Sequence, residues 1–181
     1  DILISGDILY NEEVKKQVCA SGVVYGTTWY TIDISVPTNK EVITKLDNKR
    51  YNIVFKYNNK TLGYVTDTGY FPAQYIKVAS SLDAIIIEAN HNIEMLMESE
   101  REEFLKSRIL SPLGHMSNYI CFQVLKQITK GKINKIILAH ISEECNSLSC
   151  IEEEILVPLK EIYQGEVLVA SQYEATKMFE L

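Results

Sequence analysis

Three apolar runs in this chain end on, or just before, a residue able to do chemistry. Asp67 follows TLGYVT (61–66), Glu88 closes LDAIIIE (82–88), and His140 follows INKIILA (133–139). Ligands bind at the carboxyl ends of strands in α/β sheets, so three such residues point to one shared site. Asp67 lies between Thr66 and Thr68 and before Gly69, which suits a carboxylate metal ligand or an Asx-turn that closes the strand. His140 can present a neutral imidazole to a metal or sit as a core histidine on a backbone carbonyl. Ser142 and the pair Glu143-Glu144 are placed to fix its tautomer.

His115 stands in SPLGHMSN, where Gly114 lets the chain turn into a helical pattern from Met116. A helix start there would aim N–H groups at an anionic group such as a phosphate, and Lys106 and Arg108 lie just upstream. The plain alternative is an ordinary helix start with solvated basic residues. Glu88 and His91 flank Ala89-Asn90 as an acid/base or orienting pair, unless Glu88 merely caps the next helix. His140, Cys145 and Cys150 are spaced like no standard zinc finger. P-loop, GxGxxG, GxSxG and HExxH motifs are absent, which argues against a nucleotide-fold oxidoreductase and a serine hydrolase of the usual type.

The elements that must position these residues follow from periodicity. Residues 2–5 read as a strand, and Asn11 caps a short helix through about Cys19. Residues 28–36 form a β-branched, aromatic strand ended by Pro37, and 37–50 is a polar loop. Residues 51–57 and 61–66 make a hairpin around Asn58-Asn59-Lys60. Pro72 opens a short helix over 72–79. Strands follow at 82–88, 133–139 and 166–170, and helices at 93–110, 116–130 and 150–163. The charged face from Glu98 to Glu103 reads as solvated. Alternating strands and helices in the second half give an α/β class with a mixed sheet.

The 181 residues carry a net charge of −6 and are 46% hydrophobic, which fits one domain over 1–181 and excludes a disordered chain. The acidic balance argues against a generic basic nucleic-acid binder. Any phosphate must be held by local chemistry. No apolar run reaches the roughly 18–20 residues of a membrane span, and no signal peptide opens the chain. The four cysteines Cys19, Cys121, Cys145 and Cys150 form no CxxC pair, so reduced thiols and a cytoplasmic setting are expected. The chain begins at Asp1 on a strand pattern, and the expectation is a portion of a longer protein.

GYVTDTGY (63–70), IIEANHNIEML (86–96), LKSRILSPLGHMSN (105–118) and ILAHISEECN (137–146) together resemble the metallo-β-lactamase-fold hydrolases. Within them they are most similar to the WalJ (YycJ)-like proteins and their RNase Z-like phosphodiesterase relatives. The resemblance runs over roughly residues 50–150, and VPTN at 36–39 is similar to the loop before the family's hairpin. It implies an αβ/βα four-layer sandwich, incomplete at its N-terminus, and hydrolysis of a phosphodiester in a nucleic acid or nucleotide. It implies a divalent metal, zinc or manganese, with Asp67 bridging two ions and His140 as the last His ligand. His115 would contact or protonate the scissile phosphate region, and Glu88 and His91 would support that loop. Lys106, Arg108, Ser117 and Ser142 would complete substrate binding or the surrounding support.

The departures matter as much. HxHxDH, the family's main metal motif, is absent, and Thr38 stands where the family places a His. Two retained ligands fall short of the three that catalytic zinc needs. Three arrangements reconcile this: the C-terminal part of a longer hydrolase, a catalytically silent binding or scaffold protein, or half of a split enzyme completed by a partner chain or a homo-oligomer. A lactone or thioester hydrolase on the same fold is the wider alternative.

Overall fold

The computed structural model describes residues 19–23, 29–33, 52–57 and 59–176. Seven strands form one sheet in chain order: β1 (Cys19–Val23), β2 (Trp29–Asp33), β3 (Asn52–Tyr57), β4 (Lys60–Val65), β5 (Ala84–Glu88), β6 (Lys135–Ala139) and β7 (Glu166–Val169). β1–β2 and β3–β4 pair antiparallel, and the other neighbours pair parallel. The hairpin expected around Asn59 is β3–β4. The strand expected at 28–36 is β2. Residue 19, expected at the end of a helix, begins a strand instead. The strand expected at 2–5, the rest of that helix, the VPTN loop and Thr38 lie outside the described residues.

Each parallel connection from β4 onward carries helix. A 3-10 turn (Ala73–Tyr75) and α1 (Ile76–Ser80) join β4 to β5, and α2 (Ile93–Glu98), α3 (Glu103–Leu110) and α4 (Asn118–Ile128) join β5 to β6. α5 (Leu148–Ile151), a π-turn (Glu152–Leu156) and α6 (Val157–Lys160) join β6 to β7. The class is mixed α/β, as expected.

β5 and β6 are central parallel strands, so both of their faces are buried and their sequences read as unbroken apolar runs. Ile85, Ile87, Ile136 and Leu138 face the helix layer and pack with Leu125, Ile128, Ile155 and Leu159. Ala84, Ile86 and Ile137 face the other way, beside Leu62. At the other end of these strands Asp83 ties β4 to β5, accepting from the Thr61 N–H and hydroxyl at 2.9 Å each and from Lys132 Nζ at 2.8 Å.

The helix expected over 93–110 is two helices. Ser99 and Glu102 are extended and end one helix before the next begins. The Ser99 hydroxyl donates back to the Leu96 carbonyl, and Lys106 Nζ donates to the Met97 carbonyl at 2.7 Å. Side chains thus satisfy the last carbonyls of α2, which removes the need to continue it. The π-turn precedes Pro158, which has no N–H to offer the Glu154 carbonyl, so the ladder shifts register there.

Candidate active site

The register of β5 and β6 builds the site. Glu88 pairs with Ala139 across the sheet, so the next residue after Ala139, His140, emerges beside the Glu88 side chain. Glu88 is fully buried, yet both of its oxygens are engaged. Its Oε1 accepts from Nδ1 of His115 at 2.7 Å and from Nδ1 of His140 at 2.7 Å, and its Oε2 accepts from the Thr68 N–H at 3.0 Å. Burial pushes the carboxyl up. The His115 and His140 hydrogen bonds, the His140 charge and the Thr68 N–H outweigh burial and hold it below the ordinary value. A carboxylate can only accept, so both rings carry their proton on Nδ1 and turn Nε2 to whatever lies in front.

Asp67 completes the arrangement. Its Oδ1 lies 4.0 Å from His140 Nε2, and its side chain is half exposed. Asp67, His115 and His140 each place one ligand-capable atom within 4.8 Å of the others, the one such group of three or more among the described residues. The two rings lie 5.1 Å apart, tilted at 59°. Asp67 and His140 hold φ of 57° and 56°, the left-handed region that few side chains other than Asn, Asp and His enter. Two strained residues at the ends of β4 and β6, either side of β5, mark a place where the fold holds side chains against local preference.

The donor set fits a divalent cation. A carboxylate and two imidazoles are ligands that zinc and manganese accept, and Glu88 supplies the carboxylate–histidine support that metal-bound imidazoles have. The 4.0 Å between Asp67 and His140 is within the span of two bonds of about 2.0–2.2 Å to one ion.

Several expected partners stand elsewhere. His91 hydrogen-bonds to none of Asp67, Glu88, His115 and His140. Its ring is buried, with Nδ1 3.4 Å from Asn90 Oδ1 and no hydrogen-bond partner at Nε2. Burial lowers its pKa from 6.5 to about 4, with Glu88 opposing and His115 assisting the shift. Lys106 is also buried, and its charge is spent on the Met97 carbonyl and on Glu103. Ser117 caps α4 by accepting from the Ile120 N–H at 3.3 Å, and the Asn118 N–H goes to the His91 carbonyl. Those helix N–H groups are therefore spent within the protein, and no anion is needed to satisfy them. Cys145 is buried against Leu96 and Ile109, and Cys150 lies against Met95, so neither joins His140 in a zinc loop. Gly69 and Gly114 are required by close approach rather than by a turn. A Cβ on either would come within 2.0 Å of a backbone carbonyl, Ser111 for one and Ile109 for the other.

Behind the cluster lies a network of amides that the sequence patterns do not announce. Asn118 and Asn146 exchange reciprocal amide bonds at 3.0 and 2.9 Å, Asn146 also donates to the Ala89 carbonyl, and Asn92 and Asn118 donate to Glu154. Asn90 donates to the His140 carbonyl at 2.8 Å. These bonds bind the loop after β5, the start of α4 and the loop after β6 into one support. Asn and Glu are common in loops for many reasons, and only the spacing NHN before α2 and CNS after β6 carries any signal.

A cavity of about 410 Å³ opens beside the two rings, with Arg101 and Arg108 among its lining residues. No helix among the described residues is long and apolar enough to cross a membrane.

Comparison with known proteins gives this geometry its relatives. The exodeoxyribonuclease WalJ of Streptococcus pneumoniae serotype 2 is 36% identical over 92 residues, which is 51% of this chain and 34% of WalJ. The exodeoxyribonuclease YycJ of Bacillus anthracis is 34% identical over 92 residues, 51% of this chain and 35% of YycJ. Over about half its length, this chain is similar to the WalJ/YycJ proteins. It spans about a third of the length of those relatives. Residues 1–85 match the family described as "Putative stage IV sporulation protein YqfD". That match ends inside β5, whose pairing to β4 and β6 continues without a break. The crystal structure of the metallo-β-lactamase fold protein YhfI from Bacillus subtilis covers 63% of this chain and 38% of YhfI, with a TM-score of 0.41 and 19% identity.

Proposed function

We propose that this chain carries the carboxyl-end part of a metal-dependent phosphodiesterase site that acts on nucleic acid or nucleotides. The observation that carries this reading is Glu88, a buried carboxylate that orients His115 and His140 toward Asp67. The WalJ and YycJ likeness supports the choice of a nucleic-acid substrate. Asp67 and His140 hold a divalent ion, zinc or manganese. A bound ion supplies Lewis-acid chemistry, offsetting phosphate charge and making water a stronger nucleophile. Further ligands come from outside the described residues, from the rest of a longer protein or from a partner chain. Residues 1–181 act as one domain, and the free thiols of Cys121, Cys145 and Cys150 support a cytoplasmic setting.

His115 handles the proton. Its Nδ1–H is held by Glu88, so the imidazole exchanges protons at Nε2 alone, facing the cavity. Protonated there, it donates to the departing oxygen of the phosphodiester. Ser142 lines the cavity, but its hydroxyl already accepts from the Cys145 N–H at 3.1 Å, so it orders the His140 loop.

Hydrolysis of a 5′-phosphorylated oligodeoxynucleotide with Mn²⁺ tests this. His115→Ala should slow it about 10²–10⁴-fold and leave Mn²⁺ affinity within about threefold. An unchanged rate in the enzyme completed by those further ligands would contradict the reading. Loss of Mn²⁺ binding in the same variant would make His115 a ligand and overturn its proton role.

A further inference from the structure

The cavity beside His115 and His140 has a division of chemistry that the hydrolase reading leaves unused. One wall is apolar, with Leu105 and the well-exposed Leu113 at its surface and the buried Leu96 and Ile109 behind them. Two arginines stand on the lining, and their situations differ. Arg101 is tied to Glu144 at 2.6 Å, so its charge is already matched. Arg108 is exposed on the last turn of α3 and has no carboxylate partner among the described residues. Glu143, the other acid on the lining, accepts from the Tyr173 hydroxyl.

The cavity is small. At about 410 Å³ it stands near the lower end of the roughly 300–1,000 Å³ of small-molecule sites. That is room for about one nucleotide and not for a duplex. A track for a long polyanion needs many Lys and Arg along one path, because affinity grows with each phosphate neutralised. This chain has 18 basic against 24 acidic residues. One unmatched guanidinium beside an apolar wall instead suits one phosphate and one base held together. Arginine is well made for the first, since its planar fork meets phosphate oxygens in pairs.

We infer that the cavity is a terminal-nucleotide pocket, in which Arg108 takes a phosphate and the wall of Leu105 and Leu113 takes the base. This rests on the hydrolase reading for its purpose, since it seats one end residue of a strand beside the His115–His140 pair. Its binding chemistry is independent of metal and turnover. Arg101 and Glu144 hold the α2–α3 connection to the loop after β6 and so give the pocket its far side.

The test is a calorimetric titration of the 181-residue chain, with chelator present, using 2′-deoxyadenosine 5′-monophosphate, inorganic phosphate and 2′-deoxyadenosine. The nucleotide should bind at least about tenfold more tightly than either half, because both chemistries act at once. Arg108→Ala should weaken nucleotide binding about tenfold and leave deoxyadenosine unchanged. Leu113→Ser, at an exposed position, should weaken the nucleotide and leave phosphate unchanged. Phosphate binding as tightly as the nucleotide would reduce the site to an anion site, and deoxyadenosine binding equally would reduce it to an apolar pocket. Either result overturns the proposal, as does no binding at millimolar ligand. Chelator removes metal and turnover from the titration, so a chain that binds nucleotide but cannot hydrolyse, and one that hydrolyses but shows no pocket, are told apart.

Discussion

Glu88→Gln should weaken divalent-metal binding about 10–100-fold while leaving the chain folded. The change removes one charge and adds two hydrogens at a site with no room for rearrangement. Glu88 is fully buried, with one oxygen facing both Nδ1 atoms and the other facing the Thr68 N–H. A glutamine must choose. With its carbonyl toward the rings, its NH₂ meets the Thr68 N–H, donor against donor. With its NH₂ toward the rings, both Nδ1 atoms must accept, and the ring protons move to Nε2. The Nε2 atoms are then donors and cannot bind a cation. Either orientation damages the cluster by a route that shape alone would not reveal. Isothermal titration with Mn²⁺ reads the affinity, and far-UV circular dichroism verifies the fold. Unchanged Mn²⁺ affinity in Glu88→Gln would mean that Glu88 does not set the tautomers.

Stability should fall by about 2 kcal/mol between pH 7 and pH 5 through His91 alone. The ring is buried, and burial drives its pKa from 6.5 to about 4. In the unfolded chain the ring takes a proton near its ordinary 6.5, so the unfolded state binds more protons than the folded state between those two values. Stability therefore rises with pH across that window. The full contribution is present above 6.5 and is lost as pH falls toward 4. The buried carboxylates act lower down. Asp83 is pushed up by burial but held below its ordinary value by Lys132 and Thr61, so its contribution, like that of Glu88, is lost only as pH falls through and below the ordinary carboxylate range. His91→Gln removes the titration, and urea unfolding at the two pH values should show a difference smaller by about 2 kcal/mol than in the wild type. An equal difference in both proteins would mean that His91 is not held neutral by the fold.

The central elements are legible in the sequence because their residues report their surroundings directly. The β3–β4 hairpin shows in its turn, and β5 and β6 show in unbroken apolar runs that a strand buried on both faces needs. The residue types of the site are legible for a similar reason, since Asp67, Glu88 and His140 stand where apolar runs stop. The role of Glu88 is not. Its contact with His140 comes from β5 lying beside β6 in one register, and with His115 from a loop brought in before α4. Both are long-range facts, and the segments themselves are silent about them. Chain proximity suggests that Glu88 supports His91, whereas the fold sends the carboxylate to the two more distant histidines. Lys106 is hidden in the same way. A lysine near an arginine reads as surface charge, and nothing local shows that the preceding helix ends in reach of its amine. The break between α2 and α3 is equally silent, because the charged run from Glu98 to Glu103 is as compatible with a helix face as with its interruption.

The most direct measurement is Mn²⁺ stoichiometry and affinity of the 181-residue chain, freed of metal by chelator and titrated at about pH 7.5 beside Asp67→Ala and His140→Ala. About one ion per chain, lost in both variants, is the result expected if Glu88 sets His140 beside Asp67 as a cation site. Absence of saturable binding in the wild type, or binding that survives both substitutions, would contradict it.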